Sequence, residues 1–147
     1  MLHFEGDKGF PQPPAELWAR LNDARFLAEC IPDAQSVSQA EQATATLTVR
    51  PGFSFVRGTL DVTLRVADAV EGSSLSLLVH SKGIGSTSDV EATLSFAPQD
   101  SGTRVHWVAD VQQLGGLLKA VPQGLIKASA QKIIGDVWAR VEARLGG

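Results

Sequence analysis

The stretch LDVTLRVADAVEGSSLSLLV, residues 60–79, decides the fold, because its apolar residues alternate with polar ones on both sides of a short polar break. Side chains two positions apart in a strand point to the same face, so each run predicts a strand with one buried and one solvated face. The break VEGSS is rich in turn-forming residues, and so short a connection makes the two strands antiparallel. The alternating apolar positions are Leu60, Val62, Leu64 and Val66 before the break and Leu75, Leu77 and Val79 after it.

The same period of two extends in both directions from this hairpin, from residue 36 to about residue 113. Clusters of glycine, proline and serine divide the region into five strands, at RPGFS, VEGSS, SKGIGS and APQDSG. A further strand is predicted at the N-terminus, where LHFEGDKGF (residues 2–10) alternates in the same way. One face of the resulting antiparallel sheet is apolar, and the other carries threonine, aspartate, arginine and histidine.

Two short helices are predicted after the first strand. Pro13 or Pro14 suits the first turn of one helix, and the Asp23 carboxylate can cap the next, which Pro32 ends. From about residue 116 to residue 145 the spacing is helical again, and Pro122 is expected to kink this long helix or to begin its main part. Its predicted apolar stripe is Ile126, Ala130, Ile133, Val137, Val141 and Leu145.

A sheet with one apolar face has to bury that face against another layer, and the C-terminal helix is the one predicted element large enough to cover it. The sequence therefore predicts an α+β helix-grip fold: an antiparallel sheet of six to seven strands wrapped around a long C-terminal helix. We expect residues 1–147 to form a single domain, since a chain of this length with 44% hydrophobic residues suits one core.

Charge and cysteine content exclude several classes of protein. The formal net charge is −3, with 13 basic and 16 acidic residues in no long run, so no nucleic acid is expected as a partner. A single cysteine cannot form an intrachain disulfide or a cysteine-rich zinc site. The N-terminus resembles neither a signal peptide nor a membrane span, so we expect a cytoplasmic protein with no transmembrane segment.

Five groups of residues resemble the CoxG branch, named for the G subunit of carbon monoxide dehydrogenase, of the START and Bet v 1-like (SRPBCC) helix-grip superfamily. They are FEG near the start, LWARLND followed by FLAECIPDA, FVRGTLDV, KGIGS, and GTRVHWVADVQQLGGLLKAV before the last helix. Together they span nearly the whole chain. Asp33 departs from the family pattern, which usually has glycine after CIP.

The resemblance implies an accessory protein to a molybdenum hydroxylase of the carbon monoxide dehydrogenase type, with an apolar cavity between sheet and helix. The wider superfamily binds lipids, quinones, polyketides and similar molecules, so an apolar small molecule of lipid or quinone type is the implied partner. The second implied partner is a subunit of a molybdenum hydroxylase. Peripheral membrane contact stays open, since some relatives carry a tail thought to attach them to membranes.

The inner face of the predicted sheet holds small residues where a core usually has valine, isoleucine or leucine. Either a helix comes very close at these points, or a space remains for an apolar ligand held by shape. The small positions are Ala43, Ala45, Gly58, Ala92 and Ala109. With the resemblance, the second explanation predicts a cavity whose ligand-binding residues are Leu47, Leu64, Leu77, Trp107, Ala109, Leu125 and Ser129.

No catalytic residue, metal site or cofactor site is assigned from the sequence. Cys30 lies at the C-terminal end of its predicted helix, where the helix dipole opposes a thiolate, so core packing is favoured over a nucleophile. His3, His80 and His106 fall on three strands at polar-face positions, which does not bring them together as metal ligands. KGIGS has no lysine after its glycines and is followed by a predicted strand, whereas a phosphate-binding loop needs such a lysine and a following helix, so KGIGS is interpreted as a strand connection.

Three functions are compatible with these residues. The first is non-enzymatic binding of a hydrophobic ligand, because the inward positions offer no ionisable group for proton transfer. The second is an enzyme of the polyketide cyclase or dehydratase type, which requires a register shift that turns His80, His106 or Asp110 inward. The third is a ligand-free assembly factor. Leu78 and Val108 favour it, because they are apolar residues at polar-face positions.

Overall fold

The computed structural model describes residues 2–50 and 58–145. The strands are β1 (His3–Phe10), β2 (Ala34–Ala40), β3 (Thr44–Val49), β4 (Leu60–Val70), β5 (Ser74–Gly83), β6 (Ser86–Gln99) and β7 (Gly102–Gly116). The helices are α1 (Pro14–Leu21), α2 (Ala24–Glu29) and α3 (Gln123–Leu145), with a 3-10 helix at Leu117–Ala120 between β7 and α3. The predicted α+β helix-grip class is confirmed.

All seven strands belong to one antiparallel sheet in the order β1-β7-β6-β5-β4-β3-β2. Strands that follow one another in the chain are neighbours in the sheet, except that β1 pairs with β7. Strands β1 and β2 therefore form its two edges. This topology places the N-terminal strand beside the strand that leads into α3.

The β4–β5 hairpin forms as its alternation predicts. Leu64 lies opposite Val79, and Val66 lies opposite Leu77. Leu64 and Leu75 are buried in the main core cluster, while Val66, Leu77 and Val79 are half-buried beside it. The predicted strand residue Val56 and most of the RPGFS turn lie outside the described residues.

The two short helices also begin as predicted. Pro14 is the first residue of α1, where no backbone amide is needed for a helical hydrogen bond. The Asp23 carboxylate accepts a hydrogen bond from the Arg25 amide at 3.0 Å, which confirms the predicted cap of α2. Both helices then pack their apolar residues against the inner face of the sheet.

Helix α3 begins directly after Pro122, so the proline starts the helix and does not kink it. The predicted stripe is wrong at Ile133, which is 37% exposed, because Ile134 packs against the sheet instead. Both positions fit a spacing of three or four residues after Ala130, so periodicity alone does not distinguish them. The helix residues that pack against the core clusters are Ile126, Ala130, Ile134, Val137, Trp138, Val141 and Leu145.

The five strands predicted from the period-two pattern do not include β2. All seven of its residues are exposed, so it has no buried side from which an alternation can be read. Two register shifts against β3 disturb the period further. The sheet therefore has one more strand at this edge, directly before β3 in the chain.

Candidate functional site

The long helix and the sheet are in incomplete contact. Val141 is the one buried residue among the 23 of α3, and the rest of its packed face is half-buried. On the sheet, the inner-face residues Val79, Ala92 and Trp107 are half-buried as well. Filled protein interiors are close-packed and leave few voids, so these partly exposed apolar side chains indicate open space beside α3.

The larger opening is a groove between the edge strand β1 and α3, which we call the edge groove. Its volume is about 550 Å³, which is within the range of small-molecule sites. The lining residues are His3, Phe4, Glu5, Asp7 and Lys8 of β1, Trp107 of β7, and Lys127, Gln131, Ile134, Gly135 and Trp138 of α3. The helix residues recur every three or four positions, so one side of α3 forms one wall of the groove.

Two tryptophans give the edge groove an aromatic floor. The rings of Trp107 and Trp138 have centroids 6.5 Å apart and planes tilted by 43°. Trp107 lies over Gly6, its partner on β1, and a Cβ atom at Gly6 would lie 2.9 Å from Cζ2 of the indole. The missing side chain at Gly6 therefore leaves the space that the indole occupies.

The rim of the edge groove carries ion pairs. Lys8 pairs with Glu142, which ties β1 to α3. The His3 ring bonds Glu5 through Nε2 at 2.7 Å and Asp110 through Nδ1. Hydrogen bonds that the His3 ring donates to these two carboxylates, Glu5 first, raise the pKa of His3.

On the outer face, Asp7 bonds Arg104 and His106 from β7. The guanidinium of Arg104, and then His106, hold the pKa of Asp7 below its usual value. Four of the six polar residues that line the groove, His3, Glu5, Asp7 and Lys8, are therefore engaged with other side chains, and Lys127 and Gln131 are exposed. The floor of the groove is left to the aromatic and aliphatic side chains.

A second cavity of about 320 Å³ lies between β7, the 3-10 helix and the start of α3. Its lining residues are Leu2, Val111, Gln112, Gln113, Leu114, Leu118, Lys119, Val121, Gln123 and Ile126. Phe4 and Ala109, packed with Ala130 and Ile134, belong to a core cluster that includes residues of both cavities. The two openings therefore flank one apolar contact between β1, β7 and α3.

Trp107 lines the edge groove, and the other six predicted ligand-binding residues line neither of these two cavities. Leu47, Leu64 and Ala109 are buried, Leu77 and Ser129 are half-buried, and Leu125 is 42% exposed. Their participation in binding stays a prediction.

Close helix packing explains two of the small inward residues. Ala45 is fully buried in a cluster with Ala24 and Ala28 of α2, and Ala109 is 8% exposed in a cluster with Ala130 of α3. The expectation that Ala45 and Ala109 leave unfilled volume is therefore wrong, because short side chains face each other and let the helices approach. Ala92 is half-buried, and Ala43 and Gly58 are exposed.

The remaining candidates behave as structural residues. Cys30 is fully buried, and burial raises the pKa of its thiol to about 11, which confirms core packing over a nucleophile. His80 and His106 lie on the outer face, where they bond Asp89 at 2.6 Å and Asp7 at 3.1 Å. KGIGS connects β5 to β6, as predicted.

Within residues 2–50 and 58–145, no group of three or more histidine, cysteine, aspartate or glutamate residues is arranged to hold a metal ion. In the same part of the chain, no helix is both long and apolar enough to cross a bilayer.

A model of the CoxG family, the G subunit of carbon monoxide dehydrogenase, matches residues 6–146, nearly the whole chain. The chain belongs to the CoxG family. A search of curated proteins found no match to this CoxG-family chain.

Solved structures show the fold of this CoxG-family chain. A conserved protein from Geobacillus kaustophilus superposes with a TM-score of 0.86 at 21% identity, over 99% of this chain and 95% of that one. A START superfamily protein from Mycobacterium smegmatis gives a TM-score of 0.68 at 13% identity, over 97% and 95% of the two chains. The chain therefore shares its fold with these two proteins.

Sequence reasoning missed most of the edge groove of this CoxG-family chain. Ile134, Gly135 and Trp138 form its helix wall, and only the spacing of Ile134 and Trp138 four residues apart signalled that they share a face. The N-terminal alternation places Phe4 and Gly6 on a strand. Their position beside α3 depends on the pairing of β1 with β7, which no local pattern encodes.

Proposed function

We propose that this CoxG-family chain is a non-enzymatic accessory protein that binds a hydrophobic ligand of lipid or quinone type in the edge groove and serves a molybdenum hydroxylase. The observation that carries the proposal is the aromatic floor of the groove. Trp107 and Trp138 are half-buried there although each has a ring that would gain from complete burial.

The groove offers an apolar molecule shape and stacking more than directed polar contacts. Phe4 and Ile134 flank the two indoles, so a flat ring or an alkyl chain would lie against four apolar side chains. Burial of apolar surface contributes about 25 cal/mol per Å², so covering these side chains favours binding. Leu77 of β5 and Ser129 of α3, both half-buried, are proposed as further contacts of a longer ligand.

Binding is favoured over catalysis because His3, Glu5, Asp7 and Lys8, which line the groove, are each paired with another side chain. The enzyme hypothesis needs His80, His106 or Asp110 to turn inward. The described register shift of β7 against β6 falls after Val111. On the outer face, His80 and His106 are paired with carboxylates, and Asp110 is paired with His3.

Service to a molybdenum hydroxylase rests on the family. Its name describes a subunit of carbon monoxide dehydrogenase, and we extend that association to this chain. Co-purification of the tagged protein with a molybdenum hydroxylase subunit from its own host tests this part. A tagged protein that never brings down such a subunit contradicts the partner while leaving ligand binding untouched.

Gly135→Leu tests the ligand site. A Cβ atom at Gly135 meets no heavy atom within 4 Å, so the leucine would fill open groove without displacing the fold. We expect affinity for a decyl-substituted benzoquinone, followed by quenching of tryptophan fluorescence, to fall at least about tenfold. Because leucine is a better helix former than glycine, the free energy of unfolding should rise by about 0.5–1 kcal/mol.

The matched control is Gly124→Leu. Gly124 is also in α3 with nothing within 4 Å of a Cβ atom, but it does not line the edge groove. This variant should bind the quinone like the unaltered protein. Equal quinone affinity in the Gly135→Leu variant, with α3 folded, would show that the ligand does not occupy the edge groove.

A further inference from the structure

The two edges of the sheet differ in charge. The edge strand β1 has four ionisable side chains in eight residues, and one of them ties it to α3 through the Lys8–Glu142 pair. At the opposite edge, the seven residues of β2, AQSVSQA, include no charged residue and no proline. Natural sheets commonly protect an edge strand from pairing with another chain by placing charges or proline on it. Strand β2 lacks both kinds of protection.

Strand β2 also has a free side. Among residues 2–50 and 58–145, β3 is the one strand hydrogen-bonded to it, so the other side of its backbone offers unpaired amides and carbonyls. All seven of its residues are exposed, and Val37 at its centre is 47% exposed. The outer side of β2 can therefore accept another strand.

The sequence of β2 is the same in both directions. From Val37 outward, serine, glutamine and alanine follow on each side. In an antiparallel pair of identical strands related by a twofold axis, residue i of one copy lies opposite residue j of the other, and j lies opposite i. With the axis at Val37, every residue of β2 would therefore lie opposite its own kind. The pairs are Val37 with Val37, Ser36 with Ser38, Gln35 with Gln39, and Ala34 with Ala40.

These pairs are chemically self-complementary. A valine opposite a valine makes an apolar cross-strand contact. Serine hydroxyls and glutamine amides both donate and accept hydrogen bonds, so two residues of the same kind can bond each other. No pair within the strand brings like charges together. A second copy matches all seven positions at once, which favours it over a strand of unrelated sequence.

We propose that two copies of the chain associate through antiparallel pairing of their β2 strands. The pairing would join the two sheets into one sheet of fourteen strands, seven from each copy, with a β1 strand at each end. The edge groove lies beside β1, so both grooves would stay open at opposite ends of the dimer. This inference goes beyond the proposed ligand binding and does not depend on it.

The dimer is expected to be weak. A stable interface has about 20–30 residues on each side, whereas this one has seven. The two register shifts of β2 against β3 disturb the strand, so its outer side offers fewer regular hydrogen bonds. Asp33 and Glu41 flank the strand and would come near each other across the axis. Association should therefore depend on concentration and tighten with salt, which screens the repulsion between these carboxylates.

Sedimentation velocity of the ligand-free protein tests the proposal. Between about 10 μM and about 1 mM protein, we expect the weight-average sedimentation coefficient to rise from that of a monomer toward that of a dimer. The rise should be steeper in about 0.5 M salt than at low salt.

Opposite charges at Val37 test the register. Val37→Lys and Val37→Glu each place like charges opposite each other at the axis, so each variant alone should dimerise at least about fivefold more weakly. Mixed in equal amounts, the two variants place lysine opposite glutamate and should recover the dimer. Both should unfold at nearly the same Tm as the unaltered protein, since Val37 is exposed.

Val70→Lys is the matched control. Val70 is 57% exposed in β4, which is an inner strand of the sheet, so this variant should dimerise like the unaltered protein. The Val37 variants should also keep the quinone affinity of the unaltered protein, because no β2 residue lines either of the two cavities.

Three results would overturn the pairing proposal. The first is a protein that sediments as a monomer at about 1 mM in high salt. The second is a dimer that Val37→Lys leaves unchanged, which would place the contact between copies elsewhere on the chain. The third is a failure of the two folded Val37 variants to associate on mixing. A monomer whose Val37→Lys variant no longer co-purifies with a molybdenum hydroxylase subunit would assign β2 to a different protein.

Discussion

Gly6 and Trp107 illustrate how a single residue sets the shape of the candidate site. They are directly opposite each other on β1 and β7, and the indole occupies the space that any side chain at residue 6 would need. Glycine weakens most strands, since it adds backbone entropy to the unfolded chain and offers nothing to pack. Here the cost is offset by the aromatic ring that covers it.

Gly6→Val should therefore damage the groove. A Cβ atom at 2.9 Å from Cζ2 forces the Trp107 ring to move, so we expect a shifted tryptophan emission maximum and at least about tenfold weaker quinone binding. Gly9→Val is the matched control in the same strand, because a Cβ atom there meets nothing within 4 Å. It should leave binding unchanged and match or exceed the original stability. Normal quinone binding by the Gly6→Val protein would show that Trp107 does not contact the ligand.

At the scale of elements, α3 is attached unequally along its length. Its C-terminal half has the buried Val141, the Lys8–Glu142 pair and the bond from Arg144 to Glu29 at 3.1 Å. The part of α3 up to Gly135 has two glycines and half-buried apolar residues that face the two cavities. One end of the helix is therefore anchored, and the end beside the openings is held by fewer contacts.

Hydrogen exchange should reveal this difference. We expect backbone amides of residues 127–135 to exchange at least about tenfold faster than those of residues 137–145, since local opening costs less where fewer buried contacts are lost. Mass spectrometry of peptides from both halves measures it, and bound quinone should slow the faster half. Uniform protection along α3 would contradict an unequal attachment.

At the scale of the whole molecule, the sheet is too wide for one helix to cover. Helices α1 and α2 cover β3 and the ends of β6 and β7, and α3 packs along β1 and β7. The inner residues between these contacts are left half-buried. A ligand that filled this gap would make apolar contacts with both the sheet and the helices.

Such a ligand should stabilise the fold as a whole. At a concentration about 100 times its dissociation constant it would add about 2.7 kcal/mol, or a Tm increase of about 5–10 °C for a domain of this size. Native mass spectrometry of protein purified from its own host should also show a retained small molecule. A bare protein mass, together with an unchanged Tm in the presence of quinones and lipids, would favour the assembly-factor function.

Much of this protein could be predicted from local patterns. Alternation at residues 60–79 is sufficient for the β4–β5 hairpin, Asp23 for the cap of α2, and helical spacing for α3, because each depends on residues close in the chain. The motifs of the CoxG family likewise lie in the sequence. Fold class and family were therefore accessible without coordinates.

The position of the site was decided by tertiary structure. The small residues Ala45 and Ala109 indicated a void, yet an alanine opposite another alanine allows a helix to come close, and the sequence does not say which helix faces which strand. The edge groove exists because β1 pairs with β7, which lies about a hundred residues later in the chain. This pairing brings Gly6 under Trp107 and beside Trp138 of α3. Periodicity determines which face of an element is buried, whereas contacts between distant elements determine where burial is incomplete.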